Sequence, residues 1–257
     1  MDLFKENFSL EGKKAIVTGG ARGLCNGIAQ AYHDAGAQVV LVDVLESVSE
    51  AAEAMSTDDA KVFAVRGDLS KPEDIARICE ESLSLLGGRV DILLNGAGIQ
   101  HRCPAADFPT EKWNQIISIN LNAVFLMAQT IGRQMIEQKY GKIINIASML
   151  AFFGGINIPA YAASKGAVGQ LTKALSNEWA GHGVNVNAIA PGYMATELTD
   201  TMKRTDPKQY ASITERIPKQ RWGSMEDLQG ISVFLASDAS SYITGAVIPV
   251  DGGYLAR

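Results

Sequence analysis

Tyr161 and Lys165 stand four residues apart, with Ser148 thirteen residues upstream of the tyrosine. In a helix that spacing puts a phenol and an ammonium on one face, one turn apart. A free tyrosine titrates near ~10, too high for a base at neutral pH. An ammonium one turn away favours the phenolate and is expected to lower that pKa. Tyr161 could then exchange a proton with an alcohol or carbonyl oxygen. Ser148 would supply a second hydrogen bond to the same oxygen. A Tyr-x-x-x-Lys spacing by itself also describes an ordinary solvated helix face, so the residues upstream decide its meaning.

Those residues begin with an apolar run, Lys14-Ala15-Ile16-Val17-Thr18, that ends in Gly19-Gly20-Ala21-Arg22-Gly23 and continues as a helical pattern through Ile28, Ala29 and Tyr32. Strand, glycine-rich turn and helix in that order aim backbone N–H groups and the positive end of a helix at a pyrophosphate. Twenty residues after Gly23 a second apolar run, Gln38 to Val42, ends in Asp43. A carboxylate at that strand tip can accept both ribose hydroxyls and repels a 2′-phosphate. A glycine-rich turn alone would be no more than a tight strand–helix connection. The strand, the helix and Asp43 together make it a dinucleotide site.

With these motifs in place the chain resembles the short-chain dehydrogenase/reductase family from Leu10 to its end. The family's TGxxxGxG stands at Thr18 to Cys25, its acidic adenine contact at Asp68 before Leu69, and its NNAG at Asn95-Gly96-Ala97-Gly98. The resemblance implies a catalytic set of Asn120, Ser148, Tyr161 and Lys165, with Asn120 positioning a water that links Lys165 to solvent. It implies cofactor contacts from Gly19, Arg22, Gly23, Leu24, Asp43, Asp68, Leu69, Asn95, Gly96, Ala97, Tyr161, Lys165, Pro191, Gly192 and Thr196. Within the family, the stretches 144–150, 154–156, 187–196, 221–223 and 250–257 are similar to dehydrogenases of the 2-deoxygluconate or 2-keto-3-deoxygluconate type. Two positions depart from the pattern. Cys25 replaces the glycine that serves close helix–strand packing, so the turn is expected to open slightly, with Gly27 relieving some crowding. A low-pKa thiol at a helix start competes with a small hydrophobe in a packed turn. Gly96 removes a polar side chain beside the nicotinamide ribose.

Seven apolar runs, at 14–18, 38–43, 61–66, 90–95, 142–147, 184–190 and 246–250, alternate with amphipathic stretches near 24–35, 72–86, 112–137, 160–180 and 225–236. This alternation predicts right-handed βαβ units in one Rossmann-like, doubly wound α/β domain over residues 1–257, with a seven-stranded parallel sheet and helices on both faces. The strandless stretch 193–224, with Pro207 and Pro218, reads as a mobile substrate lid centred on about 193–220. A net charge of −5 and a pI near 5.3 argue against nucleic acid or an anionic membrane as partner. No segment is expected to span a bilayer, and the polar start is not expected to be a signal peptide. Three scattered cysteines, 25, 79 and 103, form neither a disulfide frame nor a metal site. No metal is expected, and the location expected is the cytoplasm.

The cofactor expected is NAD, because Asp43 outweighs Arg22, the position where NADP-preferring relatives often carry a cation. In the loop after Gly98, Gln100 and Arg102 are candidate substrate contacts, and Arg102 could pair a carboxylate with its planar fork; a merely exposed arginine is the competing reading. His101, His33 and His182 read as surface positions, and Arg221 and Trp222 as packing at the base of the lid. The activity implied is NAD-dependent hydride transfer to or from a secondary alcohol of a small sugar acid. The alternatives are a gluconate 5-dehydrogenase, another polyol or ketone reductase, or a dinucleotide-binding protein without turnover. A 3-oxoacyl-carrier reductase fits less well. The resemblance also implies a homotetramer that uses the 112–137 and 160–180 helices.

Overall fold

In the computed structural model, which describes residues 3–58, 60–195 and 203–257, seven strands form one parallel sheet in the order β3-β2-β1-β4-β5-β6-β7. They are β1 Lys14–Thr18, β2 Gln38–Asp43, β3 Phe63–Arg66, β4 Ile92–Asn95, β5 Gly141–Ile146, β6 Val184–Pro191 and β7 Val247–Val250. The apolar runs placed all seven within a residue or two. Sequential strands grow outward in both directions from β1 and β4, so the order reverses between those two strands. The crevice at their carboxyl ends is where an open α/β sheet binds ligands.

The described helices are α1 Leu3–Phe8, α2 Gly23–Asp34, α3 Val48–Met55, α4 Pro72–Leu85, α5 Thr110–Ile117, α6 Ala123–Gln138, α7 Pro159–Trp179, α8 Pro207–Arg216 and α9 Glu226–Ala236, and every expected helix is among them. Of these, α1, α3 and α8 were not foreseen. Successive strand residues feed opposite faces of the sheet. Ala15, Val17, Val39 and Leu41 pack with Ile28 of α2, Ala52 of α3 and Leu235 of α9. Ile16, Val40, Val42 and Leu93 pack on the other face with Ile78 of α4 and Met127 and Ile131 of α6. A side chain of this kind, fully buried, contributes ~1.5–3 kcal/mol. Both faces are covered, which is why the strands read as continuous apolar runs rather than alternating ones.

Three expectations change. The 112–137 stretch is helical from Thr110 to Gln138, but a π turn at Ser118–Asn122 joins α5 to α6. This run is long and apolar enough to cross a bilayer by length and composition, contrary to expectation; here it lies on the sheet with Ile116, Met127, Ile131 and Met135 buried. The described residues of the 193–224 stretch form no named strand, as expected, and carry α8. Asp206 caps α8 by accepting from the Gln209 N–H at 3.0 Å, and the segment is pinned by a bridge between Met194 and Gly223. His33 is buried on α2 rather than exposed, while His182 is exposed as expected.

Candidate active site

A cavity of about 490 Å³ opens at the carboxyl ends of β1, β2, β3 and β4 and runs from Asp43 to Tyr161 and Lys165. Its wall includes Gly19, Arg22, Leu24, Asp43, Asp68, Leu69, Gly96 and Ala97, as the sequence led us to expect. Cys25, Val44, Leu45, Gly67, Gly98, Ile99, Ile119 and Ile146 complete it. Of these, Cys25, Val44, Leu45, Gly67 and Gly98 belong to or adjoin motif positions read from the sequence, whereas Ile99, Ile119 and Ile146 were not foreseen at the cofactor, apolar side chains carrying no chemical signature. Gly19 has φ +74°, and a Cβ there would stand 3.0 Å from the Ala97 backbone; a bare backbone is what lets the two walls approach.

The cavity fits a dinucleotide on its own evidence. Arg22 is the N-cap of α2 and no side chain caps it, leaving first-turn N–H groups free for a pyrophosphate. Asp43 accepts from the backbone N–H of Ala21 and of Leu45, both at 3.1 Å. The carboxylate is therefore fixed at the far end of the cavity with lone pairs to spare for hydroxyls. Asp68 accepts from the Ser70 N–H and hydroxyl at 2.9 and 2.7 Å, which hold its carboxyl below the usual range.

Other expected contacts lie off this wall. The Asn95 amide is buried and donates to Asn145 Oδ1 at 3.0 Å, so its side chain couples β4 to β5 instead of facing the cavity. Gly23, at φ +65°, shapes the turn into α2. Pro191 and Gly192 sit at the end of β6, where Gly192 packs against the Asp251 backbone. Thr196 lies outside the described residues. Thr18 was quoted only as part of a motif, yet its hydroxyl receives the Gly96 and Ala97 N–H groups at 2.9 and 3.3 Å. It thereby ties the end of β1 to the end of β4.

Pro159 opens α7 at a position where its missing N–H costs nothing, and Tyr161 and Lys165 follow in the first two turns. Lys165 is buried, donates to Ile146 O at 2.6 Å and lies 5.6 Å from the Tyr161 ring centre. The Ser148 hydroxyl is near enough to the Tyr161 phenol to favour its charged form, and it accepts from the Leu150 N–H at 3.2 Å. The phenol, the serine hydroxyl and the ammonium thus come together at one end of the cavity. The expected electrostatics do not hold. Burial pushes the Tyr161 phenol above its ordinary value, with Ser148 pulling it back, and the same burial brings Lys165 down to about 8. Desolvation penalises both charged forms, and the ammonium is directed at the Ile146 carbonyl.

Asn120 sits in the π turn, fully buried. Its amide accepts from Ile99 N–H at 2.9 Å and donates to Ile99 O at 2.9 Å and to Ser164 Oγ at 3.2 Å. The side chain therefore fastens the loop after β4 onto α7. π turns recur at functional sites because the extra residue re-aims a side chain or carbonyl.

Cys25 is not a reactive thiol: it belongs to the core, and burial pushes it up to about 12. A Cβ on Gly27 would stand 3.0 Å from Met225, the residue before α9, so this glycine serves the contact with α9 and relieves nothing at Cys25.

Beyond Ser148, an aromatic cluster of Tyr193, Tyr210, Trp222 and Tyr254 packs with Met149 and Ile217. Tyr210 stacks on Trp222 with centroids 4.8 Å apart, and Trp222 Nε1 donates to Thr214 at 2.9 Å. Trp222 thus packs α8, as expected. Gln100 and Arg102 are exposed. Burial and Tyr254 push the Tyr193 phenol up, while Arg102 and Arg216 pull it down, so both guanidinium groups border this cluster. Arg216, whose guanidinium lies 4.5 Å over the Tyr254 ring, had no motif to announce it. Arg221 is bound at 2.6 and 2.7 Å by Asp227, and Arg257 donates to Glu215 O. A second cavity of about 370 Å³ is lined by Lys219, Arg221, Asp227 and Asp251 among others. Arg221 and Asp227 hold each other there, and Asp251 accepts from Gly253 and Leu255 N–H.

The family described as enoyl-(acyl carrier protein) reductase matches residues 19–255. The 2-dehydro-3-deoxy-D-gluconate 5-dehydrogenase of Bacillus subtilis (strain 168) is 46% identical over 257 residues, 100% of each chain. A crystal structure of a gluconate 5-dehydrogenase from Burkholderia cenocepacia J2315, in complex with NADP and tartrate, superposes with TM-score 0.92 at 34% identity, covering 99% of both chains. Gluconate 5-dehydrogenase from Gluconobacter oxydans (strain 621H) is 39% identical, with 96% of each chain covered. Motif, sheet order, cavity and these likenesses agree: the chain belongs to the short-chain dehydrogenase/reductase family.

Proposed function

We propose that this protein is an NAD-dependent sugar-acid dehydrogenase that interconverts a secondary alcohol and a ketone on a six-carbon acid of the 2-keto-3-deoxygluconate type. The observation that carries the chemistry is the convergence of Ser148, Tyr161 and Lys165 at one end of the dinucleotide cavity. A bound nicotinamide supplies the hydride acceptor or donor. Tyr161 takes the hydroxyl proton, Ser148 orients the reacting oxygen, and Lys165 passes the proton onward and binds ribose hydroxyls. Asn120, its amide occupied, would hold the relay water by its main chain. A lysine poised near 8 can give and take that proton close to neutral pH.

The substrate class is supported by the relatives' names and by two guanidinium groups, Arg102 and Arg216, beside Tyr193. Arg102 is the proposed carboxylate anchor, with Gln100 on the same loop, and the segment around 193–220 is the proposed lid. NAD is favoured by Asp43, a carboxylate fixed at the tip of β2 beside Val44 and Leu45, while the neighbouring Arg66 guanidinium is engaged by the Val44 carbonyl and Glu46. NADP is a second reading, because Arg22 lines the same cavity and the Burkholderia structure holds NADP. We also propose a homotetramer, supported by exposed Trp113 and Phe125 on the α5–α6 run, and a cytoplasmic location, in keeping with three unpaired cysteines.

Dehydrogenase assays with 2-keto-3-deoxygluconate, 2-deoxygluconate and gluconate, each with NAD and NADP, test this reading. Turnover with one of the acids is expected, and Tyr161→Phe should bind NADH normally yet lose nearly all of it. More than a tenth of wild-type turnover in Tyr161→Phe would remove the tyrosine from its role.

A further inference from the structure

Cys25 and Gly96 are the two departures from the family motifs, and in the fold they touch. A Cβ on Gly96 would meet Cys25 Sγ far inside van der Waals contact, with Cys25 Cβ at 3.3 Å and Thr18 O at 3.0 Å. None of these neighbours gives way easily. Thr18 O is backbone at the end of a central strand, and Cys25 is 7% exposed within the core. The contact also bridges the cofactor cavity, since Cys25 stands on the first turn of α2 and Gly96 on the loop after β4, and both line it. The Gly96 N–H is itself held by the Thr18 hydroxyl at 2.9 Å, so the loop cannot simply swing away.

We propose that Cys25 and Gly96 form one reciprocal packing pair that sets the spacing of the two cavity walls, the thiol filling the volume that a side chain at position 96 would need. The pair acts on the cofactor through the walls it spaces, so Cys25 is a positioning residue. The expected turn opening at Cys25 is thereby replaced by accommodation at Gly96. A cysteine at 25 with a side chain at 96 overfills the site, and glycine at both leaves a void; interiors tolerate neither well.

This rests on the dinucleotide reading of the cavity for its binding arm only. The test is a double-mutant cycle of wild type, Cys25→Gly, Gly96→Asn and the double variant. Its readouts are NADH affinity by fluorescence titration and the urea midpoint without cofactor. Gly96→Asn is expected to weaken NADH at least tenfold and lower the midpoint. Adding Cys25→Gly should recover at least fivefold of that affinity and raise the midpoint, although Cys25→Gly alone lowers the midpoint in the wild-type background. That reversal of sign is the signature, because loss of a buried helical side chain by itself destabilises in every background. If Cys25→Gly lowers the midpoint in both backgrounds, or recovers less than fivefold of the affinity, the proposal is overturned. Should Gly96→Asn fail to fold, a folded double variant supports the pair and an unfolded one refutes it. If wild type itself binds no dinucleotide, the cavity reading fails while the midpoints still decide the packing pair.

Discussion

Replacing Lys165 by Met exchanges a buried ammonium for an apolar chain of similar length, and the consequence for stability depends on pH in a way the structure sets. Burial lowers the lysine from 10.5 to about 8, so between those values the unfolded chain binds the proton more tightly than the fold does. Below pH 8 both states are protonated, and the fold carries the full penalty of ~3 kcal/mol at ~1.4 kcal/mol per pH unit. As pH rises from 8 towards 10.5 the folded ammonium deprotonates first and the penalty is relieved. Wild type should therefore gain stability relative to Lys165→Met by about 2 kcal/mol between pH 7 and 9.5. Other groups titrate in this range too; the Cys25 and Cys79 thiols, both pushed up to about 12, lose stability as pH passes their unfolded values. They are common to both proteins and largely cancel in the difference. Urea unfolding of both proteins without cofactor, at half-unit steps of pH, measures it. Two curves separated by a constant amount, within ~0.5 kcal/mol, would show that Lys165 keeps an ordinary pKa and would withdraw its role as a proton relay.

Asp43→Ala should narrow the preference for NADH over NADPH by removing the fixed carboxylate; if wild type already favours NADPH, Arg22 and not Asp43 sets the choice. Arg102→Ala should raise KM for a sugar acid roughly ten- to a hundredfold, the worth of a charge-assisted hydrogen bond of ~1.5–3 kcal/mol. Binding of NAD should not change, and a neutral polyol should lose little. Equal losses on charged and neutral substrates would move the anchor to Arg216. Light scattering at micromolar concentration should give four times the chain mass of 27.5 kDa, and a stable monomer would refute the assembly.

The seven strands, the doubly wound parallel class, the placing of Asp43 at a strand tip and the Tyr161–Lys165 helix face were legible in the amino-acid order, whereas the switch between β1 and β4 came from the fold. Buried parallel strands must be apolar throughout, and glycine turns must follow them where a backbone approaches closely; both are local requirements that leave local marks. α3 is short, and its Val48, Ala52 and Met55 spacing is masked by the small residues between them. The π turn could not be foreseen, because Asn120 acquires its reason only from Ile99 and Ser164 across the fold. The same holds for Asn95, whose partner Asn145 is on the neighbouring strand, and for Arg216, brought to Tyr193 and Tyr254 by the packing of α8. Titration was also a tertiary matter. Spacing puts Lys165 one turn from Tyr161, but desolvation of both by the surrounding fold, and the Ile146 carbonyl that takes the ammonium, decide the direction of each pKa. Cys25 and Gly96 read along the chain as two separate faults in two motifs. Only the close approach of α2 to the end of β4 shows that each side chain is the size the other leaves room for.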